Sequence, residues 1–145
     1  MTCNIITVCT GNICRSPIAA AALQKLLPTL RIRSAGLYAL VGSSIDKDSL
    51  AAATLFDIEP KMHIAQQFSH ELGQAADLIL VMEDEHRWEI GRRWSYLLGK
   101  TFLLGHFENN KQISDPYRMG RMLHVHMAEQ VLISAEHWAN EIEIL

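Results

Sequence analysis

The stretch "VCTGNICRSP", Val8 to Pro17, lies between an apolar run, "NIIT", and an alanine-rich segment, "IAAAALQKLL". The β-branched run reads as a short buried strand over Asn4 to Val8. Ser16 offers an N-cap, and Pro17 suits the first helical position, where its missing N–H is no loss. The chain must therefore pass from strand to helix within a few residues. A unit of that kind is the opening of a layered α/β fold.

The remainder alternates in the same way. The first helix is expected to reach about Leu27 and to stop before Pro28. "RIRSAG", Arg31 to Gly36, reads as a second strand, with Gly36 and Gly42 in the loop behind it, and Asp46 to Phe56 as a helix. Ser69 caps a short helix through Gln74, and "DLILVM", Asp77 to Met82, is a continuous apolar central strand. Glu83 to Tyr96 is expected to be helical, with acids in its first turn and arginines near its end, and "KTFLLG" gives a fourth strand. Leu123, Met127, Val131, Ala135, Trp138 and Ile142 form a stripe at helical spacing, with Trp138 and the methionines as core. Right-handed crossovers then predict one domain over residues 1–145, a four-stranded parallel sheet with helices on both faces. Ligands of such sheets bind beyond the carboxyl ends of the strands, where Cys9 to Arg15 falls.

A formal charge of -3 argues against a nucleic-acid partner and leaves any anion to be drawn by a local site. No apolar run approaches a membrane span, and no signal-peptide pattern opens the chain, so a cytoplasmic location without membrane insertion is expected. The 3 cysteines cannot build a disulfide framework but leave room for one reactive thiol. Cys3 reads as a small buried hydrophobe.

A loop wrapped between a strand end and a helix start can aim successive N–H groups inward as an anion nest. Gly11 and Asn12 suit the wrap because both tolerate positive φ, and the helix start adds its positive end. Arg15 supplies a planar fork for two phosphate oxygens. Cys9 sits at the entrance of this cradle, and the donors that hold a dianion, with the Ser16 hydroxyl and Arg15, also favour a thiolate there. The nucleotide-loop pattern G-x-x-x-x-G-K-[ST] is missing. A zinc site is not indicated either: Cys9 and Cys14 lack C-x-x-C spacing, and His124 and His126 point to different faces of a helix. The 7 histidines read as surface or satisfied core residues.

"CTGNICRSP" resembles the signature of the low-molecular-weight protein tyrosine phosphatases, C-x5-R followed by Ser. The resemblance extends to "SAG" at Ser34 to Gly36, "DLILVM", and "DPY" at Asp115 to Tyr117. "SAGLYALVG" and "LLGHFENN" are similar to the bacterial branch that acts beside tyrosine autokinases in capsule and exopolysaccharide export. The resemblance implies Cys9 as nucleophile, Arg15 as phosphate clamp and Asp115 as general acid, with no cofactor and no metal. It implies a phosphate-binding loop of Thr10, Gly11, Asn12, Ile13, Cys14, Arg15 and Ser16, supported by an Asn12–Ser34 hydrogen bond. Tyr117 and either Tyr38 or Leu40 are expected to flank the substrate ring, with Leu40 and Tyr117 taken as the walls. Cys14 admits two readings, a partner for oxidised Cys9 or a small buried thiol. The implied partners are a phosphotyrosine protein, such as an autokinase, and inorganic phosphate as product.

Three rival readings are weaker. Arsenate reductases of this fold need further cysteines, and none follows Cys14. Arginine phosphatases of the family carry threonine where Ile13 stands. A phosphate-binding module or phosphocysteine carrier has no need of Cys9, Arg15 and Asp115 together.

Overall fold

The structure, a computed structural model, describes residues 3–60 and 62–144. Four strands, β1 (Asn4–Cys9), β2 (Arg31–Gly36), β3 (Leu78–Val81) and β4 (Thr101–Leu103), form one parallel sheet in the order β2-β1-β3-β4. Five α-helices connect and cover them: α1 (Arg15–Leu26), α2 (Lys47–Leu55), α3 (His70–Ala75), α4 (Asp84–Arg93) and α5 (Arg121–Ile144). The period of two in each strand divides the core. Ile5 and Leu80 face the side packed by α1, α2 and α5, while Ile6, Val8, Ile79 and Val81 face the side packed by Ile90 of α4, Leu72 of α3 and Phe68. Each fully buried aliphatic side chain contributes about 1.5–3 kcal/mol. The expected α/β architecture with helices on both faces is the observed one.

The boundaries differ where tertiary contacts outweigh local preference. The helix expected over 83–96 stops at Arg93, and residues 95–100 wind into a 3-10 turn that leads into β4. Leu123 is exposed although it opens the apolar stripe of α5; Met127, Val131, Ala135 and Trp138 are buried as expected. Leu123 lines an open surface cavity together with residues 111–116, while α5 packs on α1 and α2. Cys3 is half-buried against the core. Among the described residues no helix is long and apolar enough to cross a membrane.

The strand order places the switch in winding direction between β1 and β3, so the loops after these two strands open onto one crevice. The first carries Thr10 to Cys14; the second carries Glu83.

Candidate active site

The chain leaves β1 at Cys9, wraps through residues 10–14 and enters α1 at Arg15. Four consecutive carbonyls of the wrap are tied outward. Thr10 O accepts from Tyr38 N at 2.9 Å, Gly11 O from Leu40 N at 3.1 Å and Ile13 O from Asp46 N at 2.9 Å. The Asn12 carbonyl accepts from His63 Nε2 at 2.6 Å. Because a trans peptide sets its C=O and N–H on opposite sides, the next N–H groups, Gly11 to Cys14, are turned the other way. Among the described residues, none of these N–H groups finds a backbone or side-chain acceptor. The first N–H groups of α1 continue the series. The result is a nest of donors without a protein acceptor, as an anion requires.

Asn12 takes the left-handed conformation at φ 60, but Gly11 does not lie at positive φ. Gly36 is the glycine that the wrap demands: a Cβ there would lie 2.4 Å from Thr10 O and 3.0 Å from Asn12 N. Asn12 is fixed on every side. Its Nδ2 donates to Ser16 Oγ at 2.8 Å and to Ser34 Oγ at 3.0 Å, and its Oδ1 accepts from Gln66 N at 2.9 Å. The expected Asn12–Ser34 pair is therefore in contact.

Ser16 is not the N-cap, and Pro17 is not the first helical residue. Cys14 occupies the cap position without a side-chain cap bond, which puts Ser16 second and Pro17 third in α1. The Ser16 hydroxyl is drawn inward, 2.9 Å from Cys9 Sγ. It serves the loop and the thiol in place of the helix end.

Cys9, Thr10, Gly11, Ile13, Cys14 and Arg15 floor a cavity of about 190 Å³, and Tyr38, Leu40, Asp115 and Tyr117 form its mouth. Both candidates for the wall opposite Tyr117, Tyr38 and Leu40, line it. Arg15 is 1% exposed and strongly oriented: Nη1 donates to Glu83 Oε2 at 2.5 Å and to Ile113 O at 2.7 Å. Its Nη2 lies 3.4 Å from Thr10 Oγ1 and 3.9 Å from an Asp115 carboxylate oxygen. Among the described residues its buried Nε has no partner, so one edge of the fork is unspent. Asp115 is half exposed, and its other oxygen accepts from Tyr117 N at 3.1 Å, which holds the Asp-Pro-Tyr turn.

Sequence reasoning passed over four side chains of this site. Glu83 reads as a helix-start acid, yet it lies two residues beyond β3, in the loop that opens onto the crevice, and pins Arg15. His86 Nδ1 accepts from Glu83 N at 3.1 Å, which assigns the proton to Nε2, donated to Thr10 Oγ1 at 2.9 Å. Burial, with the Arg15 charge second, pushes His86 down to about 4, so the ring is neutral near pH 7. His63 is lowered by burial as well, opposed by its bond to Asn12 O. Gln66 holds Asn12 and, through Nε2, Ser34 O at 2.9 Å. Burial drives Cys14 up to about 12, leaving a protonated thiol.

Fold and site together define a phosphate-handling α/β protein with a cysteine in its cradle. Comparison with known proteins narrows this class. Residues 4–144 match the family model for low molecular weight phosphotyrosine protein phosphatase. The low molecular weight protein-tyrosine-phosphatase Wzb of Escherichia coli strain K12 is 39% identical over 139 residues, 96% of this chain and 95% of that one. Wzb from Escherichia coli K30 in complex with sulphate superposes with a TM-score of 0.94 at 37% identity, covering 98% of this chain and 99% of the other. Vibrio vulnificus Wzb in complex with benzylphosphonate gives 0.93 at 35% identity, over 97% and 99%. The chain belongs to the low molecular weight protein tyrosine phosphatase family, as its "CTGNICRSP" signature implied.

Proposed function

We propose that this phosphatase hydrolyses phosphotyrosine in two steps through a phosphocysteine on Cys9. The observation that carries the reading is the set of tied carbonyls, which leaves the N–H groups of Gly11 to Cys14 without a protein acceptor in a loop that lines one cavity with Cys9 and Arg15. In the first step the Cys9 thiolate attacks phosphorus in line. The P–O bond breaks as Asp115 gives its proton to the departing phenol oxygen, whose acid has a pKa near ~10. In the second step Asp115 takes a proton from water, which displaces sulfur and releases inorganic phosphate. Arg15 and the loop amides hold the equatorial oxygens in both steps, where transition-state charge accumulates. These fixed donors supply the positive field that the transferring phosphoryl group needs.

Substrate class is supported by the walls. Ile13, Leu40, Tyr38 and Tyr117 present apolar faces around the mouth, matching an aryl ring. Ile13 in place of threonine favours this over a phosphoarginine. The resemblance of "SAGLYALVG" and "LLGHFENN" to the capsule branch supports a cytoplasmic role, with a bacterial tyrosine autokinase of exopolysaccharide export as the phosphoprotein.

The test is hydrolysis of an aryl phosphate by wild type, Cys9→Ser and Asp115→Asn, with intact mass measured after acid quench. A phosphoryl adduct on Cys9 that accumulates during turnover is expected. Turnover surviving in Cys9→Ser overturns the covalent route, and binding without turnover in wild type leaves only a binding module. Capture of a phosphorylated autokinase by Cys9→Ser, released by vanadate, tests the partner.

A further inference from the structure

Three side chains from separate elements converge beneath the phosphate loop: Cys14 at its end, Asp46 at the N-cap of α2 and His124 near the start of α5. One ligand atom from each, Cys14 Sγ, an Asp46 carboxylate oxygen and His124 Nδ1, lies within 4.8 Å of the other two. His124 Nδ1 and Asp46 Oδ2 are 3.7 Å apart. We propose that this cluster is a Zn²⁺ site, with Cys14, Asp46 and His124 as ligands and water as the fourth.

The spacing fits the ion. Zinc bonds of ~2.0–2.3 Å in a tetrahedron set ligand atoms about 3.3–3.8 Å apart. The His124–Asp46 separation already lies in that range, and the bound of 4.8 Å on the others leaves a closure of at most about an ångström. One thiolate, one imidazole and one carboxylate suit a borderline-soft cation and reject calcium or magnesium, which prefer oxygen alone. Cys14 and His124 are buried at 3% and 0% exposure, whereas the Asp46 side chain is 22% exposed and gives the ion and its water a way in.

The surroundings hold the ligands in place. The N–H groups of Asp48 and Ser49 donate to Asp46 Oδ2 at 3.0 and 3.2 Å. Ser49 Oγ lies 2.7 Å from His124 Nδ1 and occupies the position from which a metal would displace it. Among the described residues His124 Nε2 is buried without a partner, so nothing on that side fixes the tautomer against an Nδ1 lone pair. The unpartnered nitrogen lies away from the cluster; Nδ1, the atom beside Asp46 and Ser49, is the one a metal would take.

Binding needs no electron transfer. The Cys14 S–H bond breaks, its proton goes to water, and a Zn–S bond forms. The ion then joins the phosphate loop to α2 and α5 at one point, adding to the Asp46 N to Ile13 O bond. It also withholds the Cys14 sulfur from Cys9.

The test uses the full chain carrying Cys9→Ser, so that no catalytic thiol competes and the outcome is independent of activity. Titration with Co²⁺ is expected to give a thiolate-to-metal charge-transfer band at one ion per chain, displaced by Zn²⁺. The added substitution Cys14→Ser removes the band, and Asp46→Asn or His124→Phe weakens binding at least tenfold. Zn²⁺ at a hundredfold excess over Kd raises Tm by about 5–10 °C in the parent and not in Cys14→Ser. Circular dichroism reports folding; if His124→Phe fails to fold, the partly exposed Asp46→Asn and the Cys14→Ser measurements decide. No thiolate band, or a band unchanged by Cys14→Ser and Asp46→Asn, overturns the site.

Discussion

Glu83 grips Arg15 at one corner of the guanidinium, Oε2 to Nη1 at 2.5 Å, and leaves the Nε edge without a partner among the described residues. Arg15 opens α1 behind the loop that follows β1, and Glu83 caps α4 in the turn that follows β3, on either side of the winding switch, so the strand order brings the two together. A cation that is 1% exposed depends on its counter-charge.

Glu83→Gln is therefore expected to lower kcat/KM about 10–100-fold on an aryl phosphate, the equivalent of a charge-assisted bond of about 1.5–3 kcal/mol. Since Glu83 acts through Arg15, affinity for inorganic phosphate as an inhibitor falls in parallel, and Glu83→Asp restores part of both. Unchanged phosphate affinity in Glu83→Gln would show that the pair does not orient the clamp.

Gly36 and Gly11 make a contrasting pair. A Cβ at Gly36 meets backbone at 2.4 Å, which cannot rotate aside, whereas at Gly11 the nearest atoms are side-chain carbons at 3.7 and 4.0 Å. Gly36→Ala is expected to destabilise the fold by about 1–3 kcal/mol and to cut activity at least tenfold by lifting the loop. Gly11→Ala keeps the stability and raises KM, because Gly11 lines the cavity. Urea denaturation beside steady-state kinetics separates the two effects; equal stabilities for both variants would refute the packing argument.

Asn12 combines a left-handed backbone at φ 60 with side-chain bonds to Ser16, Ser34 and Gln66. Replacing it by alanine strains the backbone by about 1 kcal/mol and orphans buried partners for about 1–3 kcal/mol each. Asn12→Ala is thus expected to be more damaging than Ser34→Ala, in stability and in kcat. Because the two share a hydrogen bond, the double variant should fall short of the sum of the single effects. Strict additivity in a double-mutant cycle would show that the Asn12–Ser34 contact carries no energy.

What the sequence disclosed follows the range of the interactions. The sheet was legible because Ile5, Ile79 and Leu80 lie in apolar runs whose burial is written locally. Cys9, Arg15 and Asn12 were legible because one short segment holds them. Ser16 was misread as a cap because its hydroxyl answers to Cys9 and Asn12 across the loop, a stronger claim than the helix end. His63 and His86 reach the loop from 51 and 76 residues away, and no spacing rule connects such positions. Glu83 alone left a signal, a carboxylate directly after the apolar run "DLILVM".

His86 gives the site a pH dependence whose sign can be worked out. Its pKa falls from 6.5 to about 4 on folding, mainly through burial, with the Arg15 charge acting in the same direction. Between these values the unfolded chain binds more protons than the folded one, so stability rises with pH across the interval. The contribution is fully present above pH 6.5 and is lost as pH falls toward 4, by an amount on the order of 3 kcal/mol. Lowering of His63 by burial adds a slope of the same sign. His86→Gln can still donate to Thr10 Oγ1 but cannot take up a proton, so urea midpoints measured from pH 7 to pH 4 should decline less in this variant than in wild type. If the two curves run parallel, the ring takes up its proton at the same pH in the folded and the unfolded chain, and burial does not hold it neutral.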